Sequence, residues 1–195
     1  MGRRLKLYLA VLVPHRDSRK VLRERSAELF RAGFWGAWSF PQVSPLALLR
    51  SPLTAAELGE LARNLRALSL AGGRDGTLHP GVEAILPLAG LPEGAALYGP
   101  QLDLQPRPED FAGAGDKLKE LYPAPLVACA VLGPEDPREI PAGRRTGVYD
   151  FRAAAVANLS YRPIAAGGYS YAWRIGELHW LPRPRDRRQG GPESR

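Results

Sequence analysis

The sequence predicts an α+β fold built from short antiparallel strands and three helices. Apolar runs of strand length alternate with segments of helical periodicity, in the order strand, helix, strands, helix, strands, which is typical of α+β proteins. Glycine and proline are frequent (21 and 19 of 195 residues), and both favour turns between short strands. The same order indicates two similar halves. We expect one domain over residues 1–182, followed by a basic tail over 183–195.

The first half is predicted to alternate strands and helices. The run of Leu, Val and Tyr over 5–13 predicts a central strand. Asp17 is a typical N-cap for a helix over 18–32. The next helix has the clearest local signature, because the capping box Thr54-Ala55-Ala56-Glu57 precedes a helical stripe of leucines. That stripe consists of Leu58, Leu61, Leu65 and Leu68.

The second half is predicted to be mostly strand. A helix predicted over 109–122 is weakened by Gly113 and Gly115 and ended by Pro123. The glycine-rich segment 72–76 follows a helix and lacks the lysine of a phosphate-binding loop, so it predicts a plain turn. Strands are predicted over 82–88, 95–104, 125–132, 149–164 and 169–181.

One more strand is predicted over 38–49, and it carries two polar side chains. Strand side chains alternate between faces, so Phe40, Gln42 and Ser44 would point the same way. Buried polar groups without partners are costly. Gln42 and Ser44 therefore mark the first candidate site.

The C-terminal segment 183–195 carries +3 of the net charge of +7, because it has five arginines and two acidic residues. This Gly/Pro/Arg segment is predicted to be a disordered, solubilising tail, with non-specific phosphate contact as the alternative. A second basic group lies in a polar loop over 133–147, where it either faces solvent or contacts a phosphate beside a cleft. Its members are Arg138, Arg144 and Arg145.

Cysteine usage and hydropathy indicate the compartment. Cys129 lies in an apolar run, which predicts a buried, inert thiol, and a single cysteine fits a reducing compartment. The apolar run near the N-terminus lacks a signal-peptide cleavage site, and no run reaches transmembrane length. We expect a cytoplasmic, monomeric protein without membrane contact, cofactor or metal.

Two segments resemble the two-histidine phosphoesterase superfamily, also called 2′-5′ RNA ligase-like or LigT-like. Phe40-Pro41-Gln42-Val43-Ser44 is similar to the family's Pro-His-x-Thr/Ser segment, and residues 151–163 are similar to the strand of its second motif. Residues 173–181 resemble the terminal strand. The resemblance implies two pseudo-symmetric lobes of antiparallel sheet with flanking helices around a V-shaped cleft. It also implies phosphodiester chemistry on 2′,3′-cyclic phosphates or 2′-5′ RNA linkages.

Neither motif is intact. Gln42 stands where the first histidine is expected, while Ser44 keeps the hydroxyl. With Leu159 in the family's leucine position, Val156 and Asn158 take the places of histidine and threonine. A register shifted by one residue puts two alanines there instead, Ala155 and Ala157.

These replacements imply a degenerate active site. Glutamine, valine and alanine exchange no proton near neutral pH. Losing a positioned acid or base costs about two to four orders of magnitude in rate for each group. The resemblance therefore predicts binding without the family's usual catalysis.

Ligand binding does not require the missing proton-transferring histidines. Asn158, Ser160 and Arg162 share one strand face, and we expect Gln42 and Ser44 to face them across the cleft. Together they would hold the phosphate of a nucleotide or an RNA. In the alternative, Asn158 and Ser160 bind neighbouring backbone and Arg162 faces water.

Three histidines offer a displaced proton carrier or an ordinary structural residue. His15 follows the first strand, His79 lies in a loop, and His179 lies in the last strand. Three aromatic residues alternate on one strand face, where they either stack on a base or pack in the core. They are Tyr169, Tyr171 and Trp173.

Three hypotheses for function follow. The first is a catalytically degenerate protein that binds a nucleotide or RNA phosphate. The second is an active phosphodiesterase that uses His15 or His179. The third is a structural or protein-interaction module whose cleft is filled by its own side chains.

Overall fold

The computed structural model describes residues 5–72, 77–78, 80–89, 91, 93–133, 136, 139–141, 149–163 and 169–181. Its helices and antiparallel strands confirm the α+β class. The elements are β1 (Leu5–Pro14), α1 (Arg16–Arg31), β2 (Ser44–Leu49), α2 (Ala55–Gly72), β3 (Thr77–Leu78), β4 (Pro80–Pro87), β5 (Ala96–Leu102), β6 (Leu118–Leu121), β7 (Ala130–Leu132), β8 (Tyr149–Pro163), β9 (Tyr169–Ile175) and β10 (His179–Trp180).

Several predicted features lie outside the described residues. They are the turn at 73–76, His79, the arginines Arg138, Arg144 and Arg145, and the tail over 183–195. Within the part of the chain that is described, no helix is long and apolar enough to cross a membrane.

Strand β8 is the hub of the larger sheet. The sheet runs in the order β10-β8-β1-β2-β6, and β3 and β9 also pair with β8. A second sheet has the order β4-β5-β7. The fifteen residues of β8 give it the length to pair with four strands at once.

The two faces of the larger sheet are buried in different clusters. Ala10 of β1 and Ala154 of β8 belong to a cluster with the leucines of α1 and α2, which we call the helix-side face. Leu9 and Ala155, their neighbours in sequence, belong to a second cluster with Leu97 of the smaller sheet. This is the alternation expected of strands buried on both faces.

Both long helices begin with side-chain caps. The predicted capping box of α2 is confirmed, because the Thr54 N–H donates to Glu57 Oε2 at 2.6 Å and the Glu57 N–H donates to Thr54 Oγ1 at 3.3 Å. In α1 the cap is His15, whose Nδ1 accepts from the Asp17 N–H, so the predicted Asp17 cap is wrong. Strand β1 ends at Pro14 and α1 begins at Arg16, so His15 is the single residue between them.

The strand predicted over 38–49 is wrong in its first half. Residues Trp35–Trp38 form a 3-10 helix, and β2 begins only at Ser44. The close approach of this 3-10 helix to Val131 requires glycine at position 36, because a Cβ there would lie 1.9 Å from the Val131 carbonyl oxygen. The Val43 N–H then donates to the Pro41 carbonyl at 2.8 Å, which closes a tight turn before the strand.

The helix predicted over 109–122 is also wrong. Pro108–Lys117 forms a 3-10 segment that is kinked at Phe111 and at Gly115, where φ is +53°. The next four residues are β6, which pairs with β2. The strand predicted over 125–132 shortens to β7, preceded by a bridge between Leu126 and Gln101.

A buried ion pair joins α1 to the smaller sheet. Arg25, 8% exposed, donates from Nε to Glu83 Oε1 and from Nη2 to Glu83 Oε2, both at 2.7 Å. Its Nη2 also donates to the Pro141 carbonyl and the Tyr98 hydroxyl. Burial alone would lower the pKa of Arg25, but the hydrogen bonds to Glu83 and Tyr98 raise it, so the guanidinium stays charged.

We expect Arg25→Ala to lower the free energy of unfolding by about 3–5 kcal/mol, because it leaves Glu83 without its partner in a half-buried site. The matched control is Glu28→Gln. Glu28 contacts the same guanidinium but has an exposed side chain, 43% accessible. Its loss should cost less than about 1 kcal/mol. Urea denaturation measures both, and equal losses would contradict this assignment.

Candidate functional site

A cavity of about 240 Å³ opens on the helix-side face of the larger sheet. Tyr8 on β1, Asn158 on β8 and Arg174 on β9 lie directly opposite one another and form one wall. Val156 and His179 extend that wall, and the first turn of α2 closes the other side. Six further residues line it: Pro52, Leu53, Ala55, Leu58, Gly176 and Glu177.

Strand alternation and pairing place these side chains. Val156 and Asn158 are two residues apart on β8, so they share a face. The pairing of β8 with β1 and β9 then brings Tyr8 and Arg174 to either side of Asn158. Arg174 is exposed and forms no ion pair with a carboxylate of the described residues.

The segment after β9 delivers His179 to the cavity. The Gly176 N–H donates to the Val156 carbonyl at 2.9 Å, and a Cβ on Gly176 would lie 3.2 Å from that oxygen. The chain therefore stays against β8 as it turns, and His179 pairs with Ala154 on the cavity face. Its Nδ1 lies near α2 at Gly59, where an added Cβ would be 3.7 Å away.

His179 presents an unsatisfied nitrogen. Its Nε2 is buried and has no hydrogen-bond partner among the described residues. A buried polar atom without a partner costs about 1–3 kcal/mol. A ligand that accepts or donates a hydrogen bond here would remove that cost.

Two sources of positive charge and one carboxylate border the cavity. Arg174 contributes a charge, and the N-terminus of α2, which borders the cavity at Ala55, contributes partial positive charge. Glu57 in the same first turn is paired with Lys117 at 2.7 Å. Glu177 is the carboxylate on the lining itself.

The structure does not bring Gln42 and Ser44 to this cavity. Ser44 lies opposite Leu12, four residues along β1 from Tyr8 or roughly 13 Å at about 3.3 Å per residue. It is 0% exposed, and its hydroxyl lacks a hydrogen-bond partner within the described chain. A ligand reaches it only if the strand moves.

Gln42 has a structural role. It precedes β2, so it does not share a strand face with Ser44. Its Nε2 donates to Ser26 Oγ at 3.3 Å, and that hydroxyl donates to the Cys129 carbonyl at 2.8 Å. Gln42 therefore links its own turn to α1 and to the segment entering β7.

Strand β8, which contains the second segment that resembles the superfamily, presents alternate residues to the cavity. Val156 and Asn158 face the cavity, whereas Ala155, Ala157 and Leu159 lie on the opposite face and are at most 1% exposed. Of the polar residues of β8 that were expected to bind a ligand, Asn158 is thus the one that lines this cavity.

The other two residues expected to bind phosphate do not line this cavity. Ser160 is 7% exposed, and its Oγ donates to the Ala172 carbonyl at 3.2 Å. Arg162 is exposed. Their placement matches the alternative in which Ser160 binds backbone and Arg162 faces water.

The remaining candidates lie elsewhere. His15 caps α1 and lies 3.3 Å from Asp17. Tyr171 and Trp173 pair with Tyr161 and Leu159, so they and Tyr169 lie on the face opposite the cavity, and stacking on a ligand held there is not supported.

Metal and thiol chemistry receive no support from the described residues. No three His, Cys, Asp or Glu side chains among them could together hold a metal ion. Burial raises the pKa of the Cys129 thiol to about 12, so a reactive thiolate is absent at neutral pH.

Sequence reasoning missed Tyr8, Arg174 and Glu177. Tyr8 reads as an ordinary core residue of an apolar strand. Arg174 directly follows the aromatic stripe of Tyr169, Tyr171 and Trp173. Strand alternation therefore predicts that Arg174 lies on the face opposite those rings, and this was the available signal. Only the register between β1, β8 and β9 joins it to Asn158.

We expect Ser44→Ala to leave the free energy of unfolding unchanged or to raise it by up to about 1 kcal/mol, because it removes an unsatisfied buried hydroxyl. Ser26→Ala is the matched control, since Ser26 is equally buried but hydrogen-bonded. It should lower stability by about 1–3 kcal/mol. Denaturant titration of both variants decides, and a similar loss for Ser44→Ala would refute the placement of its hydroxyl.

No protein-family model, curated protein or solved structure matches this chain. The assignment of its site therefore rests on the geometry described above.

Proposed function

We propose that the protein binds the phosphate of a nucleotide or an RNA end in the Asn158 cavity, without the family's histidine-based catalysis. The observation that carries this proposal is the row Tyr8, Asn158 and Arg174 across three paired strands, with His179 beside it. These groups offer amide, guanidinium, hydroxyl and imidazole donors, which suit phosphate oxygens.

The size of the cavity limits what it holds. At about 240 Å³ it is smaller than the roughly 300–1,000 Å³ typical of small-molecule sites. A phosphate with its ribose fits that space better than a whole dinucleotide. The proposal is therefore that the terminal phosphate enters while the rest of the ligand lies outside.

Membership of the two-histidine phosphoesterase superfamily, with two pseudo-symmetric lobes around a V-shaped cleft, is part of this proposal. Its support is the motif-like strand at 151–163, whose Val156 and Asn158 face the cavity, as they would in one of the two registers that the resemblance allows. Gln42, by contrast, is held by Ser26 outside the cavity.

Isothermal titration at low salt with nucleotide 2′-phosphates and 2′,3′-cyclic nucleotides tests the binding. We expect saturable binding, and we expect Asn158→Ala and Arg174→Gln each to weaken it about 10- to 100-fold, as for loss of a hydrogen bond to a charged group worth about 1.5–3 kcal/mol. Arg31→Gln, an exposed residue at the end of α1, is the charge-matched control. Absence of saturable binding would favour the structural or interaction module instead.

A second candidate function is phosphodiester hydrolysis with His179 as a displaced proton carrier. It is favoured by the position of His179 on the cavity wall, near Glu177, which gives two titratable groups in one site. His15, which caps α1, lacks such a position.

Hydrolysis of 2′,3′-cyclic nucleotides by the purified protein separates the two candidates. If His179 carries the proton, His179→Ala should lower kcat by about two to four orders of magnitude, while His15→Ala should not. If the protein only binds, no hydrolysis above that of a heat-inactivated sample is expected. Activity that survives both substitutions would refute the second candidate.

A further inference from the structure

Strand β9 of the larger sheet has an unpaired edge. It pairs with β8 along one side, and no strand of the described residues pairs with its other side, which we call the free edge of β9. Backbone N–H and C=O groups along such an edge are a ready template for another strand. Four of the seven residues of β9 are exposed. They are Tyr169, Ala172, Trp173 and Arg174.

The other edge strands have features that discourage pairing. At the opposite edge of the same sheet, β6 has only four residues, and its central pair, Lys119 and Glu120, is charged and exposed. In the smaller sheet, β4 begins and ends with proline, and β7 has three residues. Short strands, charges and prolines all protect an edge. Strand β9 has seven residues, no proline and one charge, Arg174.

Aromatic side chains stand beside the free edge. Tyr169 is 40% exposed and Trp173 is 46% exposed, and both lie with Tyr171 on the face opposite the cavity. A strand rich in aromatic residues and poor in charge favours association with another strand. The partner that suits this edge is therefore a strand with apolar or aromatic side chains on that same face.

A second copy of β9 has this pattern. When two copies run antiparallel with Ala172, the middle residue of β9, at a two-fold axis, all seven residues of each strand are paired. Like charges do not meet in this register, and aromatic residues face each other across the strands, which is favourable. The facing pairs are Arg174 with the partner's Ser170, Tyr171 with the partner's Trp173, and Tyr169 with the partner's Ile175.

We propose that the protein forms a two-fold symmetric dimer in which the free edges of β9 pair antiparallel about Ala172. This dimer differs from the monomer expected from the sequence. The arrangement is isologous, so it covers both free edges at once and closes without further copies. The two larger sheets then form one continuous sheet, with both cavities on the same side because the axis is perpendicular to the sheet.

The dimer also brings a residue of the second copy to the cavity wall. Directly opposite residues of antiparallel strands share a face, so the partner's Ser170 lies beside Arg174. Its hydroxyl extends the row of Tyr8, Asn158 and Arg174 by one strand, or about 4.8 Å. Use of this hydroxyl by a ligand rests on the proposed function, whereas the dimer does not.

Analytical ultracentrifugation of the full chain from micromolar to millimolar concentration tests the dimer. We expect the mass to rise to twice that of one chain. Ala172→Lys should weaken the association at least about tenfold, because two ammonium groups then face each other at the axis. Ala32→Lys is the matched control, since Ala32 is exposed at the end of α1 and gains the same charge, and it should leave the association unchanged.

Cysteine cross-linking tests the register without a change of charge, and it also serves if Ala172→Lys does not fold. Ala172→Cys places two thiols opposite each other at a Cα separation of about 4.5–5.5 Å, which suits a disulfide. We therefore expect a disulfide-linked dimer under mild oxidation. The wild type should not cross-link, because its Cys129 is buried. Ala32→Cys, with an exposed thiol, is the control and should cross-link more slowly.

Hydrogen exchange locates the contact on the wild-type chain. Amide exchange over 169–175 should slow as the protein concentration rises, while exchange over 118–121, the charged edge strand, should not change. Three results would overturn the dimer: the mass of one chain at every concentration, equal effects of the substitutions at positions 172 and 32, and concentration-dependent protection that excludes 169–175. Each of these leaves the cavity proposal standing, because Asn158→Ala tests that site within a single chain.

Discussion

The pairing of β8 with β1 is the constraint on which the rest of the structure depends. Every residue from Leu5 to Val13 is in register with β8, and β9 and β10 pair with the other edge of β8. Because alternate residues point to opposite faces, this register determines which side chains meet α2 and which meet the second core. A shift of one residue would bury Asn158 and Arg174 in the opposite cluster and remove the cavity.

Small residues on β8 make this arrangement possible. Ala153, Ala154, Ala155 and Ala157 are at most 1% exposed, so both cores close tightly on the central strand. The polar residues of β8 lie on either side of this alanine segment, with Arg152 at one end and Asn158 at the other. Asn158 lines the cavity, whereas Arg152 lies at the β-bulge opposite the end of β1.

Buried polar groups divide into two kinds in this protein. Arg25 and Ser26 are buried and satisfied, and they join α1 to neighbouring elements. The Nε atoms of Arg19 and Arg152 and the Nε2 of His179 are buried and lack partners among the described residues. Satisfied groups explain the fold, whereas the unsatisfied nitrogen of His179, which lines the cavity, indicates where a ligand would contribute the missing interaction.

Local sequence signals correctly predicted the elements that are determined by interactions between residues close in sequence. The capping box at Thr54 and Glu57 fixed the start of α2, and the long apolar run predicted β8 within two residues. The strand over 38–49 failed because the Val43–Pro41 turn and the close contact of Gly36 with Val131 are tertiary. Leu118–Leu121 became a strand because pairing with β2 outweighed helix propensity.

The site was only partly predictable for the same reason. Asn158 followed from alternation within one strand, and His179 was a candidate because histidine is a natural proton carrier. Tyr8 and Arg174 join them only through inter-strand register, and Gln42 and Ser44 were misplaced because alternation was extended through a turn. Sequence alone gives the face of a residue within a strand but not the neighbour across it.

The most direct test of the central claim is an NMR titration of the isotope-labelled protein with a nucleotide 2′-phosphate. Binding in the cavity predicts that the largest shift changes occur at the Asn158 side-chain amide, the His179 ring and the backbone over 174–179. Changes centred on Gln42 and Ser44, or no change at saturating ligand, would contradict the account.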